Sequence, residues 1–412
     1  MKDRTALVTP ILLAACLIIT VNFAIRGAFG VFQIPIAEEF GWPRAEFSMA
    51  IAIQNLFWGI GQPIFGAIAE KIGDRKAIFF GAVLYAAGLV LSAFATTPFA
   101  IQSLEVLVGL GIAGTGFGVI LAIVARSASD EHRSMALAMT TAAGSLGQVF
   151  GAPLAEWMLS FLPWQTVFLV FAAAILGVLF ALPFMRAPVL SKTEIEESMG
   201  TVLSRAFRDP SYAMIFMGFF SCGYQLGFIV AHFPALVTEM CGPILPGSTL
   251  HALGVTTTSA LGAVAISVIG LANIVGTLMA GWLGQRYPKK YLLASIYAAR
   301  TIIGAVFILS PITPMSVILF SVFMGSLWLA TVPLTSGLVG YLFGLRYMGT
   351  LYGFVFLSHQ LGSFLGIWLG GRLYDATGDY TLVWWLGLAV GAFSALVHLP
   401  IREEKRGLPQ AA

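Results

Sequence analysis

The residues best able to do chemistry in this chain are a few ionisable side chains within long apolar runs. Arg26, Arg300, His359 and His232 lie inside such runs, and Glu105 stands near the start of one. An ionisable group at membrane depth costs roughly 3 kcal/mol, so its presence usually marks a transport pathway. A guanidinium group pairs with a carboxylate through two hydrogen bonds, and histidine titrates near neutral pH. Two cations and a histidine against few acids predict recognition of an anionic small molecule.

Composition indicates that the apolar runs cross a membrane. The chain has 412 residues, of which 58% are hydrophobic and 10% charged, whereas soluble proteins are roughly a quarter charged. A spanning helix needs about 20 apolar residues. Backbone polar groups cannot stay unpaired in lipid, so we expect these spans to be helices. The first run is too long for a signal-peptide core. We therefore predict an all-α membrane protein with twelve transmembrane helices, at 7–34, 47–69, 77–97, 99–125, 134–160, 164–186, 211–238, 259–284, 290–311, 313–342, 347–371 and 380–401.

Loop charges predict the orientation of these helices. Basic residues concentrate in one alternating set of loops, and the other set holds only Arg44 and Arg372. The positive-inside rule then places both termini in the cytoplasm. The longest polar stretch lies halfway along the chain, so we predict a six-helix bundle over 1–186, a cytoplasmic linker over 187–210 and a second six-helix bundle over 211–412. We expect a monomer among the lipids of a bacterial inner membrane.

The two halves repeat short motifs. Gly66–Lys76, after the second predicted helix, is echoed by Gly281–Lys290 after the eighth. Leu146–Gly151 in the fifth helix is echoed by Leu361–Gly366 in the eleventh. Such repeats predict two pseudo-symmetric bundles around a site at the membrane midplane, which is how secondary transporters alternate access.

These motifs resemble those of the major facilitator superfamily, and the resemblance extends over essentially the whole chain. The signature loop is carried by Gly66, Glu70, Lys71, Gly73, Arg75 and Lys76. In that family the acid and the basic cluster hold helices together in one alternating-access state. The resemblance therefore implies a coupling or gating role for Glu70, Lys71 and Arg75. Gln285 replaces the acid in the second copy, which implies a stronger latch in the N-terminal half.

Two further stretches resemble the oxalate/formate antiporter and monocarboxylate transporter branch. They are Arg133–Ala142, which opens the fifth helix, and Arg26–Val31 in the first. Arg26 stands where that branch has an acid, Thr277 where it has a substrate-pairing arginine, and His359 where the oxalate exchanger has a lysine. Glu105 also occupies the place of a superfamily arginine that is tied to proton coupling. The resemblance implies transport of a small organic anion.

Polar side chains at helical spacing predict the wall of a substrate cavity. Asn22, Arg26 and Gln33 share one face of the first helix. The candidate substrate-binding residues are Asn22, Arg26, Gln33, Gln54, Gln225, Asn273, Trp328, Thr331 and His359, and the further candidates for coupling or gating are Glu105, His232 and Arg300.

Structural alternatives stay open for the same residues. Arg26 could pair with Glu105 or Glu156 to fix helix packing, and Arg300 could be held by a cluster of carbonyl groups. His359 could be a packing histidine, and the polar stripes could be interhelical contacts, each worth only about 0.6 kcal/mol.

We expect a secondary transporter of a small organic anion, most simply a monocarboxylate, with protons as a candidate coupling ion. One alternative is an exporter of amphipathic or aromatic compounds, since Gly147–Pro153 loosely resembles the antiporter motif of the superfamily. Another is a receptor without transport activity. The sequence has no Walker loop, HExxH pair or GxSxG elbow, so we expect neither an enzyme nor a metal or cofactor. Its basic residues are dispersed over loops, which argues against a nucleic-acid partner.

Overall fold

Twelve membrane-length helices form the protein. The computed structural model describes residues 7–42, 44–186 and 198–404. Within these residues the helices are α1 (Pro10–Phe40), α2 (Arg44–Ile72), α3 (Asp74–Ser92), α4 (Pro98–Ser127), α5 (Arg133–Leu159), α6 (Trp164–Phe184), α7 (Pro210–Met240), α8 (Thr258–Leu283), α9 (Lys289–Leu309), α10 (Pro314–Phe343), α11 (Met348–Thr377) and α12 (Thr381–His398). The predicted all-α class with two six-helix bundles is confirmed.

Nine of the described helices are long and apolar enough to cross a membrane by length and composition. The three that fall short of that hydropathy are α2, α5 and α11, with 29, 27 and 30 residues. Each of them packs against the opposite half of the molecule: α2 against α11, and α5 against α8. Their lower hydropathy follows from this position, because a helix between the halves turns only part of its surface to lipid.

Helix starts carry the same capping signal in both halves. Thr9 and Asp209 cap α1 and α7 through their side chains, and each is followed by proline. Thr97 and Thr313 do the same for α4 and α10. A cap oxygen satisfies a free amide of the first turn, and proline at the first position has no amide to lose. The starts of these four helices are therefore encoded locally.

Two predicted helix ends were wrong by about six residues. The first helix continues past residue 34 through a 3-10 turn (Phe29–Phe32) to Phe40, and α11 continues past residue 371 to Thr377. Pro35 lies in the first turn of the Gln33–Phe40 segment, where proline is tolerated. Glu38 and Glu39 lie on its exposed side. The charges therefore mark an exposed face, not the end of the helix.

The described part of the linker holds one helix. Residues 187–197 of the predicted linker lie outside the described residues. Met199–Arg208 is helical, and it buries Val202 and Ala206 on one side. Phe207 is 52% exposed and packs edge-on against Phe354 of α11.

Close contacts join the two halves. We call the side of the molecule that carries both described chain ends the terminal side, and the opposite side the distal side. A Cβ atom built on Gly66 of α2 would lie 2.4 Å from the backbone of Gly349 in α11. One on Gly281 of α8 would lie 2.2 Å from the Cβ of Ala138 in α5. Both glycines allow backbones to touch near the terminal side, which is where the halves are closed.

Helices α4 and α10 are each interrupted, at related places in the two halves. In α4 the interruption is Gly116, whose backbone is extended. In α10 it lies between Ser326 and Thr331. The sequence predicted both as continuous helices. A break within a membrane leaves backbone groups without helical partners, so neighbouring side chains must satisfy them.

Candidate anion site between the halves

Arg26 lies on the inner face of α1 with no carboxylate partner among the described residues. Its Nη2 donates a hydrogen bond to Asn55 Oδ1 of α2 at 2.9 Å. Its guanidinium carbon lies 4.6 Å from the ring centre of Trp58 and 5.9 Å from that of Phe23. The Nε–H is buried and has no hydrogen-bond partner. This leaves a cation supported by rings and one amide, with donor capacity to spare.

A chain of polar contacts leads from Arg26 into the other half. Asn55 receives the bond from Arg26 on its side chain, and its main-chain carbonyl accepts from Gln360 Nε2 of α11 at 3.1 Å. Gln360 Oε1 in turn lies 3.1 Å from His359 Nδ1. The close approach of α2 to α11 needs glycine at position 59, because a Cβ atom there would lie 2.7 Å from the Cβ of Gln360. The structure therefore links Arg26 and His359, which are 333 residues apart (359 − 26), through two amides.

Aromatic rings form a floor beneath this chain. Phe23, Trp58, Phe117 and Phe356 make up the floor, and each is at most 4% exposed. Trp58 and Phe356 come from opposite halves, with ring centres 4.7 Å apart. His359 stacks on Phe356 at 5.4 Å and 13°. Arg26 therefore lies over Trp58 and His359 over Phe356, so each contacts one ring of the pair that joins the two halves.

Above the floor, on the distal side, the face of α1 opens. Gly30 lies one turn beyond Arg26 and is exposed, and a Cβ atom built on it would meet nothing within 4 Å. Gln33, another turn on, is partly exposed. At the other end of the stripe, Asn22 is fully buried and donates to Ile112 O and Thr115 Oγ1 of α4. The stripe therefore runs from the packed N-terminal half into open space.

Arg300 has a different environment, inside the C-terminal half. It is fully buried in α9, and its Nε donates to Leu327 O at 3.1 Å. Its Nη2 donates to the carbonyls of Leu327 and Trp328, at the interruption of α10. Nη1 reaches Cys222 Sγ of α7 at 3.3 Å. Arg300 is held by the carbonyl cluster that the sequence left open as its structural alternative.

The other side of the α10 interruption is held by Asn273 of α8. Its Oδ1 accepts from Leu329 N at 2.8 Å, and its Nδ2 donates to Ser145 Oγ of α5 at 2.6 Å. Asn273 therefore ties the break to the opposite half. The predicted residues Trp328 and Thr331 belong to this break, with Thr331 Oγ1 3.4 Å from Cys222 Sγ.

Three predicted residues make contacts within one half. Gln54 Nε2 donates to Glu105 Oε2 at 2.7 Å, between α2 and α4. Gln225 Nε2 donates to Gly387 O of α12 at 3.1 Å. His232 lies 2.9 Å from Ile367 O of α11. The alternative pairing of Arg26 with Glu105 or Glu156 is not seen among the described residues, because Glu105 faces Gln54 and Glu156 is exposed.

The signature-loop residues lie at the terminal side. Glu70 accepts from Thr350 N at 3.0 Å and from Thr350 Oγ1, in the first turn of α11. A carboxylate at a helix N-terminus is stabilised by free amides and the helix dipole. Arg75 donates to Pro183 O at 2.6 Å, Asp74 pairs with Arg126 at 2.5 Å, and Lys71 is exposed. Glu70 is the member of the loop that reaches across the interface.

Sequence reasoning missed Asn55 and Gln360 as members of the site. Asn55 follows Gln54, and its role depends on which of two adjacent amides turns toward α1. Gln360 follows His359 and contacts a residue 305 positions away. The sequence did indicate a polar face on α11 beside His359. That pattern could not show that Gln360 contacts Asn55.

Comparison with known proteins agrees with this architecture. A model of the Major Facilitator Superfamily matches residues 15–367, so the chain belongs to that superfamily. Monocarboxylate transporter 13 of Bos taurus is 25% identical over 391 residues, covering 92% of this chain and 86% of that protein. Multidrug resistance protein MdtH of Photorhabdus laumondii is 27% identical over 354 residues, covering 84% and 82%. The transporter FucP, crystallised in the outward conformation, superimposes with a TM-score of 0.73 at 15% identity, covering 94% of this chain and 97% of its own.

Membership defines the chain as an integral membrane transporter of the superfamily, and it confirms the predicted family and fold. The members named above include transporters of different cargo at similar identity. Family membership therefore does not identify the substrate, and the residues of the site are the basis for proposing one.

Proposed function

We propose that the protein is a secondary transporter of small organic anions, most simply monocarboxylates, and that Arg26 binds the carboxylate. The observation that carries this proposal is that Arg26 has no carboxylate partner among the described residues and lies one turn from the exposed Gly30. A buried charge without a counter-charge is costly, and an anionic substrate would supply one. Asn55 positions the guanidinium by holding one of its terminal nitrogens.

The number of cations at the site supports a substrate with one carboxylate. Arg300, which is fully buried in α9, donates to carbonyl groups and a thiol inside the C-terminal half. A dicarboxylate would leave its second charge over the aromatic floor and beside neutral amides. His359 can supply a second cation only when it is protonated. The rings of the floor suit an apolar substrate body.

Transport by alternating access follows from the contacts between the halves. They run from Asn55 and Gln360 near mid-membrane to Glu70 and Thr350 at the terminal side. We propose that Glu70 latches the terminal side while the distal side admits substrate. Opening the terminal side then requires Glu70 to release the first turn of α11. The roles of Lys71 and Arg75 in gating stay predictions.

The location follows from the loops. The terminal side carries the basic loops, so we propose that it faces the cytoplasm of a bacterial cell and that the protein lies in the inner membrane. The distal opening would then face outward. Reporter fusions at residues 95 and 129, in loops on opposite sides, test this arrangement, because only one side can be cytoplasmic.

Flux into proteoliposomes tests the proposed function. Wild-type protein is expected to take up one or more labelled monocarboxylates from a panel that also holds dicarboxylates and neutral aromatic compounds. Arg26→Gln replaces the guanidinium by a shorter, neutral amide that can still donate a hydrogen bond, so we expect it to abolish anion uptake. Gln102→Leu, which removes an amide that bonds Glu46 elsewhere in the N-terminal half, is the control that keeps the charge of Arg26. Equal anion uptake by Arg26→Gln and the wild type would refute the role of Arg26.

The second candidate is export of amphipathic or aromatic compounds. The aromatic floor and the MdtH relative favour it. A neutral aromatic cargo would need the rings more than the charge. Arg26→Gln would then leave export nearly unchanged, whereas Trp58→Leu would reduce it, and this pattern would replace the anion proposal.

A further inference from the structure

Glu105 is a buried carboxyl group that the binding of an anion does not by itself require. It lies in α4 about 10 Å along the helix from its distal start at Pro98, at 1.5 Å per residue. Its side chain has no exposed surface. Oε2 accepts a hydrogen bond from Gln54 Nε2 at 2.7 Å, and Oε1 is buried with no hydrogen-bond partner.

The surroundings of Glu105 hold no cation at ion-pair distance among the described residues. Helices α1, α2 and α3 pack against this part of α4. From α3, the buried Tyr85 donates its hydroxyl to Asn22 O of α1 at 3.4 Å and carries no positive charge. From α2, Glu46 accepts a hydrogen bond from Gln102, one turn from Glu105 toward the distal side. Among the described residues, the neutral amide of Gln54 is therefore the one polar group that forms a hydrogen bond with the carboxyl.

An ionised carboxylate in this environment is strongly disfavoured, because one buried oxygen would carry charge without a donor from the described residues. A protonated carboxyl fits the contacts: Oε2 remains the acceptor for Gln54, and the proton resides on Oε1. Proton release then requires α4 and α2 to separate enough to admit water. This couples the charge of Glu105 to the position of the helices.

The contact with Gln54 connects Glu105 to the anion site. Gln54 and Asn55 are consecutive residues of α2: the first binds Glu105, and the second binds Arg26 and Gln360. A change in charge at Glu105 therefore acts on the turn of α2 that positions the guanidinium and contacts the other half.

We propose that Glu105 is a proton-binding site, and that the proton it holds accompanies the organic anion through the transport cycle. One proton moving with one monocarboxylate makes the step electroneutral. The coupling to anion transport rests on the proposed function, whereas the proton site itself does not. No other co-reactant is needed, since the proton comes from water on the open side and leaves to water on the other.

Infrared difference spectroscopy on purified protein at neutral pH tests the proton site without a substrate. The wild type minus Glu105→Gln spectrum is expected to contain the carbonyl band of a protonated carboxylic acid. Glu156→Gln, which removes an exposed carboxyl of α5, is the control and is expected to show a carboxylate band. A carboxylate band for Glu105 would overturn the proposal.

Flux in proteoliposomes tests the coupling, with a labelled monocarboxylate that the wild type transports. Glu105→Gln preserves the contact with Gln54, so it is expected to keep anion exchange at equal pH on both sides. It is expected to lose the accumulation that a pH gradient drives. Retention of that accumulation would overturn the coupling. A protonated Glu105 in a protein that moves no organic anion would refute the proposed function and leave the proton site standing.

Discussion

Arg26 and Arg300 are the same residue type at membrane depth, and both lie over aromatic rings, yet their hydrogen-bond partners differ. Arg300 gives hydrogen bonds to two backbone carbonyls and a thiol, all within the C-terminal half. Among the described residues, Arg26 gives one hydrogen bond to a side-chain amide, keeps a buried Nε–H without a partner and lies one turn from the exposed Gly30. The depth of a charge in the membrane therefore does not define its role. The hydrogen-bond partners of the charged group define that role.

The comparison extends to the two interrupted helices. At the α4 interruption, Gln62 Oε1 accepts from Gly118 N at 2.8 Å, and Asn22 donates to Ile112 O. At the α10 interruption, Asn273 accepts from Leu329 N, and Arg300 donates to the carbonyls. Both halves satisfy a broken helix with side chains from neighbouring helices. In the C-terminal half the charged donor Arg300 serves this purpose. In the N-terminal half neutral amides serve it, and Arg26 instead bonds Asn55.

The largest effect is expected at Arg300. Arg300→Met keeps most of the side-chain volume and removes every donor, which leaves the carbonyls of Leu327 and Trp328 unsatisfied. Each buried unsatisfied group costs roughly 1–3 kcal/mol, so we expect the free energy of unfolding to fall by about 4 kcal/mol. Thermal unfolding in detergent measures this loss. Arg26→Met is the matched variant, and the two arginines would be equivalent if both variants lost the same stability.

A smaller effect is expected at the latch. Glu70→Gln removes the charge that accepts from the first turn of α11, which weakens the closed terminal side by about 1 kcal/mol. A cysteine introduced by Ser134→Cys, buried near Gly281 between α5 and α8, reports opening of that side through its alkylation rate. We expect Glu70→Gln to raise that rate about fivefold.

Two controls accompany the latch measurement. The protein without Ser134→Cys gives the background from native cysteines. Lys71→Gln changes an exposed neighbour of Glu70 and is expected to leave the rate unchanged. An unchanged rate in Glu70→Gln would show that this contact does not hold the terminal side closed.

The smallest effect is expected at Asn55. Asn55→Leu removes the acceptor for Arg26 Nη2 and keeps the backbone carbonyl that binds Gln360. Loss of one positioning hydrogen bond of about 1 kcal/mol predicts roughly fivefold weaker anion binding. Equilibrium binding of a labelled monocarboxylate measures it. Gln102→Leu, which removes a similar hydrogen bond to Glu46, should bind as the wild type does, and equal weakening in both would remove Asn55 from the site.

Much of the fold could be predicted because lipid imposes a regular pattern. Long apolar runs and repeated motifs located all twelve helices in order. The interruptions of α4 and α10 could not be predicted, since apolar residues continue through both. The sequence therefore indicated that Arg300 needs buried partners. It could not identify them, because they are carbonyl groups freed by the interruption of α10.

The site was predictable only in part. Arg26 and His359 could be selected because charge and titration are rare at membrane depth. Their connection depends on Asn55 and Gln360, which meet across an interface between distant parts of the chain. Gln54 looked like part of the cavity wall, but it turns toward Glu105 inside the N-terminal half. Helical spacing identifies a polar face without showing what lies opposite it.

The central claim is that Arg26 is the free cation that binds the substrate carboxylate. The most direct test is thermal unfolding of purified wild type and Arg26→Gln, each titrated with a panel of monocarboxylates. A ligand at 100 times its dissociation constant adds about 2.7 kcal/mol to the stability of the folded state. We expect at least one monocarboxylate to stabilise the wild type and none to stabilise Arg26→Gln, with both proteins unfolding at similar temperatures when no ligand is present. Equal stabilisation of the two proteins by the same acid would contradict the claim.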